Sequence, residues 1–169
     1  MADDSALLST VTRVFESEDW AFARVEGREV LRAGFEAHHT RVDLHVQVFP
    51  ELGAVSVVSE SPLPAGDPAR RERFAELVMR TNETLTIGGF EMRWEPGTVV
   101  FRVTNLFPTP QGEEKIITGL VVTTISEMDR IAPLLAILSR VDGADLAGMD
   151  LPTLMDRDDL LPEVDGNKG

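Results

Sequence analysis

Residues 41–49 read RVDLHVQVF, and this run decides the fold class. In an extended chain Val42, Leu44, Val46 and Val48 fall on one side, while Arg41, Asp43, His45 and Gln47 fall on the other. Strict alternation means one face on a core and one face in water, the signature of an antiparallel sheet rather than a parallel one buried on both faces. Working outward, Trp20–Val25, Val30–Ala37 and Ala54–Ser59 read as further short strands. Glu26-Gly27 and Leu52-Gly53 sit where the hairpin turns are needed.

Towards the N-terminus the period changes from two to that of a helix. Leu7, Val11, Val14 and Phe15 recur at helical spacing, with Asp4 as the expected N-cap. Past the fourth strand, Asp67-Pro68 predicts a second helix, an N-cap followed by proline where its missing N–H costs nothing. Phe74, Leu77, Val78 and Leu85 mark its buried face, and Gly88-Gly89 is expected to stop it. Phe90, Met92 and Trp94 then alternate, Glu95-Pro96-Gly97-Thr98 suits a type II turn, and Val99, Phe101 and Val103 return. Glu113–Val141 reads two ways. Ile117, Val121, Thr124, Met128, Ile131, Leu135 and Leu138 make a helical seam, whereas the β-branched content of Ile116–Ile125 would suit a strand. The seam is the longer pattern and predicts one long helix bent near Pro133. The expected class is α+β, a twisted antiparallel sheet with packed helices in the order α-β-β-β-β-α-β-β-α.

Charge and composition exclude several kinds of function. The 169 residues carry −13 at pH 7. That opposes direct binding to nucleic acid or to an anionic membrane. No cysteine is present, so thiolate chemistry and Cys-type zinc sites are excluded. No apolar run reaches the roughly 18 residues of a membrane span, and the acidic start at Asp3-Asp4 is unlike a signal peptide. The sequence thus predicts a cytoplasmic chain. Gly-x-Ser-x-Gly, a Gly-rich run ending in Lys-Ser/Thr and His-Glu-x-x-His are all missing, and no catalytic residue, metal or cofactor is expected. His38, His39 and His45 are read as a polar turn and a solvated strand face. Arg70, Arg71 and Arg73, interrupted by Glu72 and Glu76, are read as a helix face with local ion pairs.

Two domain-level expectations follow. Residues 1–141 form the α+β domain. Residues 142–169, with eight acids, two bases and repeated glycine and proline, form an acidic, largely flexible tail. In that tail Met149, Leu151, Leu154 and Met155 are the residues able to form a short helix over an apolar groove. The last helix is unusually apolar, with 15 of 26 residues between Ile116 and Val141 being Ile, Leu, Val, Met or Ala. One core needs a stripe of about three in seven. The surplus line Leu134, Ile137 and Val141 is therefore the expected dimer or partner interface.

Asn82, Gly88-x-Phe90, the turn at Gly97, Val100-x-Arg102, Asp129 and Pro133 together resemble the signature of YbjN-like bacterial proteins. The element order resembles the class I type III secretion chaperones. The resemblance spans roughly residues 5–141. It implies helices packed on a twisted antiparallel sheet, commonly in a homodimer, and a regulatory or chaperone-like role, and it carries no catalytic residues. The function expected is a non-enzymatic, protein-binding adaptor or chaperone-like regulator. It would act as a homodimer on a basic protein, including a nucleic-acid-binding one, without touching nucleic acid itself. The alternative is a small-ligand sensor or an enzyme whose polar site assembles only in the fold.

Overall fold

The computed structural model describes residues 4–157 and 159. Six strands form one wholly antiparallel sheet: β1 (Ala23–Arg24), β2 (Val30–Glu36), β3 (Arg41–Phe49), β4 (Ala54–Glu60), β5 (Gly89–Arg93) and β6 (Thr98–Leu106). Their spatial order is β1-β2-β3-β4-β6-β5. The helices α1 (Ala6–Ser17), α2 (Pro68–Asn82) and α3 (Glu114–Arg140) pack on one face. The expected class and element order are therefore present, and two short helices follow, α4 (Gly143–Gly148) and α5 (Leu151–Met155).

Local chemistry accounts for most element ends. Ser5, not Asp4, caps α1; its hydroxyl accepts from Leu8 N–H at 3.0 Å. Asp4 instead pairs with Arg24. Asp67 caps α2 by accepting from Arg70 N–H at 2.9 Å, with Pro68 at the first helical position. That helix stops at Asn82, before the expected glycine pair, and Leu85 packs on the core from the following loop. The first strand is two residues rather than six, because Trp20 and Phe22 turn inward to make edge-to-face contacts with Phe15 and Phe35. The β5–β6 turn closes one residue earlier than expected, through Gly97 N–H to the Trp94 carbonyl at 3.1 Å. Gly97 has φ +67°, and a side chain there would collide with the Ala65 carbonyl. For Glu113–Val141 the helical seam wins: Ile117, Val121, Thr124, Met128, Ile131, Leu135 and Leu138 are all buried, and Pro133 lies within the helix.

Packing does not stop at residue 141, where the domain boundary was expected. Leu146, Leu151 and Leu154 are buried within the main core cluster, and Met149 and Met155 pack on it. Arginines of α2 hold this segment down. The Arg70 guanidinium donates to the Leu138 carbonyl at 3.1 Å and the Val141 carbonyl at 2.8 Å, and pairs with Asp142; Arg73 donates to the Met149 carbonyl. The cluster Arg70, Arg71 and Arg73 is thus more than a face of local ion pairs. The leucines 146, 151 and 154 follow no regular period, so their burial depends on the surface that α2 and α3 present. The rest of the expected tail, 158 and 160–169, lies outside the described residues.

Candidate partner-binding cleft and open sheet face

The residues that carried the resemblance to YbjN-like proteins serve as clamps. The Asn82 amide pairs with the backbone of Phe90 in both directions, Nδ2 to the carbonyl at 2.9 Å and Oδ1 from the N–H at 2.8 Å. This satisfies the free edge of β5 and fixes it to the end of α2. Gly88, at φ +74°, leaves no room for a Cβ, which would stand 2.5 Å from the Phe101 ring. Asp129, buried on α3, accepts from His39 N–H at 2.6 Å and Thr40 N–H at 3.2 Å, holding the β2–β3 turn. On the open face Arg102 pairs with Glu91 at 2.8 Å.

One apolar cleft lies between α2 and the residue that follows β5. The face of α2 opposite Phe74, Leu77, Val78 and Thr81 carries Glu72, Glu76 and Met79, followed by Glu83 at the helix end. Trp94, at the end of β5, leans toward it. Together they bound a cleft of about 470 Å³. Met79 is 71% exposed and Trp94 48%. Met79 and Trp94 thus line one cleft and both keep apolar area that folding leaves unburied. Three carboxylates, Glu72, Glu76 and Glu83, rim the cleft beside one guanidinium, Arg80, which pairs with Glu76 at 2.9 Å. Glu76 is also paired with Arg73, which leaves Glu72 and Glu83 as the carboxylates of the rim without an ion pair among the described residues.

The open face of the sheet is different. Register places Arg32, His45, Val58 and Arg102 in one row across four strands. The next row carries Gln47, Ser56 and Thr104, and the one beyond it Phe49, Ala54 and Leu106. His45 is half-buried, and its imidazole is pushed below its ordinary value, first by burial and then by Arg32, Arg102 and Arg93.

The expected interface residues lie along the end of α3. Leu134, Ile137 and Val141 are half-buried and packed against the core, not a fully exposed line, because the end of α3 is tied to α2 through Arg70. The histidines do not converge. His38 and His39 stack edge-to-face at 4.6 Å in the β2–β3 turn, and His45 lies in the middle of β3. Among the described residues no group of three His, Cys, Asp or Glu side chains is arranged to hold a metal. Also among these residues, no helix is long and apolar enough to cross a membrane. Sequence reasoning missed Met79 and Trp94. Met79 stands beside the core position Val78 and so passes for part of the buried stripe. Trp94 continues the Phe90–Met92 alternation but falls in the turn.

No protein-family profile and no curated protein sequence matches the chain. Solved structures do. The crystal structure of YbjN from E. coli, described as a candidate transcription regulator, is similar with a TM-score of 0.55 at 12% identity, over 77% of this chain and 92% of that one. The fold is YbjN-like. A chain from the structure of the HopA1–SchA chaperone–effector complex is similar with a TM-score of 0.50 at 8% identity, over 76% of this chain and 95% of that one. The YbjN-like fold expected from the residue signature and the secretion-chaperone-like architecture expected from element order are therefore present, at identities that speak to fold alone.

Proposed function

We propose that the chain is a non-enzymatic, protein-binding adaptor or chaperone-like regulator that receives an apolar, basic-flanked segment of its partner in the Met79–Trp94 cleft. The observation that carries this reading is the pairing of two exposed apolar side chains with a rim of three carboxylates against one guanidinium. Apolar contact supplies affinity at such a site, while the acidic rim, on a chain of −13, selects the sign of the partner and speeds encounter. The similarity to a chain of a chaperone–effector complex supports protein binding in general.

The adaptor acts as a homodimer in this reading. We assign the contact to Leu134, Ile137 and Val141, which keep part of their surface in the single chain and would lose it against a second copy. Light scattering behind size exclusion should give twice 18.6 kDa at micromolar concentration. A monomer throughout that range removes the dimer.

The binding role is tested with paired affinity pull-downs using the wild-type chain and Met79→Glu. A basic protein retained by the wild type and lost from the variant is the expected outcome. Its association rate should fall markedly between low and physiological ionic strength. Equal retention by both chains would remove the cleft from the reading, and a salt-indifferent association rate would remove the electrostatic selection.

A further inference from the structure

The hairpin joining β1 to β2 and the adjoining part of β3 enclose a second cavity, of about 530 Å³, on the open side of the sheet. Its polar wall is made by Arg28, Glu29, Arg32, His45 and Gln47. Among the described residues eleven of the fourteen arginine side chains have a hydrogen-bond or ion-pair partner. Arg28 and Arg32 are two of the three that do not, and they share this cavity. The third, Arg140, closes α3 far along the chain.

The carboxylates nearby are already engaged. Glu29 accepts from Ser5 N–H at 3.0 Å and also from the Ser5 hydroxyl, so it belongs to the start of α1. A neighbouring cavity of about 580 Å³ shares Arg32 and His45; there Asp43 is paired with Arg41 at 3.0 Å and Glu60 with Arg93 at 2.9 Å. Among the described residues, two guanidinium groups without a hydrogen-bond or ion-pair partner therefore line one concavity, beside a Glu29 carboxylate whose oxygens are taken up by Ser5. The His45 imidazole, held below its ordinary value first by burial and then by Arg32, Arg102 and Arg93, is neutral at about pH 7.5 and able to donate one N–H. The Gln47 carboxamide adds a further donor.

We propose that this cavity binds a phosphate monoester, with Arg28 and Arg32 as the paired guanidinium ligands and His45 and Gln47 as neutral donors. Guanidinium forks match tetrahedral oxyanions bidentately. The volume lies within the range of small-ligand sites, and the two guanidinium groups outweigh the one carboxylate, Glu29, in the cavity wall. The site lies on the open face of the sheet and is independent of the Met79–Trp94 cleft.

The three histidines make a direct test, because His38 and His39 sit in a separate turn and act as internal references. Proton NMR of the imidazole C–H signals is followed at about pH 7.5, adding inorganic phosphate, glycerol phosphate or a phosphoserine tripeptide at matched ionic strength. The His45 signals should move saturably while those of His38 and His39 stay. Arg28→Gln and Arg32→Gln should each weaken the response at least about tenfold, the scale of a lost charge-assisted contact. Arg140→Gln should leave it unchanged. Tighter binding of glycerol phosphate than of the tripeptide assigns the group to a small ester, and the reverse order assigns it to a phosphorylated chain. Equal movement with chloride, a response that never saturates, or one indifferent to both Arg28→Gln and Arg32→Gln overturns the proposal. Unchanged thermal melts confirm that the variants are folded.

Discussion

The two faces of the six-stranded sheet come from the same strands yet are built on different principles. The covered face carries Leu31, Val42, Val46, Val57, Phe101 and Val103, all buried in one cluster with α1, α2 and α3. The open face carries Ala54, Ser56 and Val58, which are also buried, although Ala54 and Val58 lie outside that cluster. They are small residues beneath the long side chains of neighbouring rows. Gly34 belongs to the same design: a Cβ there would meet the Arg41 guanidinium, which instead crosses the strand to Glu36 at 2.6 Å and Asp43 at 3.0 Å. One face is thus largely apolar and covered by helices, and the other carries its charged side chains over a few small buried residues. Stability should reside in the first face and recognition on the second and at its margin.

Substitutions can break or sharpen this contrast. The largest loss is expected from Phe101→Ala on the covered face, about 3–5 kcal/mol by urea unfolding, because the ring is fully enclosed. If that cost fell below about 1 kcal/mol, the contrast between the faces would collapse. Next comes Leu151→Ala, expected to cost about 2–3 kcal/mol because this leucine is fully buried despite lying beyond the last long helix. A negligible change would separate residues 142–157 from the folding unit. Asn82→Ala should cost about 1–3 kcal/mol by leaving both backbone groups of Phe90 without their partner. It should also speed hydrogen exchange along β5 before β3.

On the open face the effects should be small and dependent on conditions. His45 titrates lower in the folded chain than its ordinary 6.5. The unfolded chain therefore takes up the proton first, and stability should fall as pH drops from about 7.5 through 6.5 toward the folded value. His45→Gln should flatten that part of the profile, read as the difference between the two chains in urea melts. Parallel profiles would mean that His45 is as solvated as its strand pattern alone suggests. The smallest effect is expected for Arg102→Ala, within about 1 kcal/mol, since its pair with Glu91 is well exposed.

Much of this architecture was legible because it is written in short-range periodicity. RVDLHVQVF reads directly as a strand with one covered face, and Asp67-Pro68 reads directly as the start of α2. The helical seam from Ile117 to Leu138 outweighed the β-branched content of Ile116–Ile125, because a 27-residue helix buries nine side chains along one stripe. The cleft was not legible. Met79 differs from a core residue only by its angle around α2, and Trp94 becomes a cleft wall only because Gly97 closes the turn one residue earlier than its sequence suggests. The line Leu134, Ile137 and Val141 was legible as a spacing but not in its degree of exposure. Its spacing is real, but the end of α3 is drawn against α2 by a single arginine, Arg70, whose sequence neighbours suggest only local ion pairs.

By itself the sequence determined the period of each segment, the sign of the chain's field and the absence of thiol chemistry, since these depend on residue identity and spacing alone. Tertiary structure decided which distant groups meet. It placed β4 between β3 and β6, and it turned Asn82 and Asp129 into clamps on backbone 8 and 90 residues away. It buried leucines 146, 151 and 154 and left Arg28 and Arg32 lining one cavity without partners among the described residues. The physical reason is range. A hydrogen bond or an ion pair acts over a few ångströms in space, and no local pattern encodes which segments folding will bring within that distance.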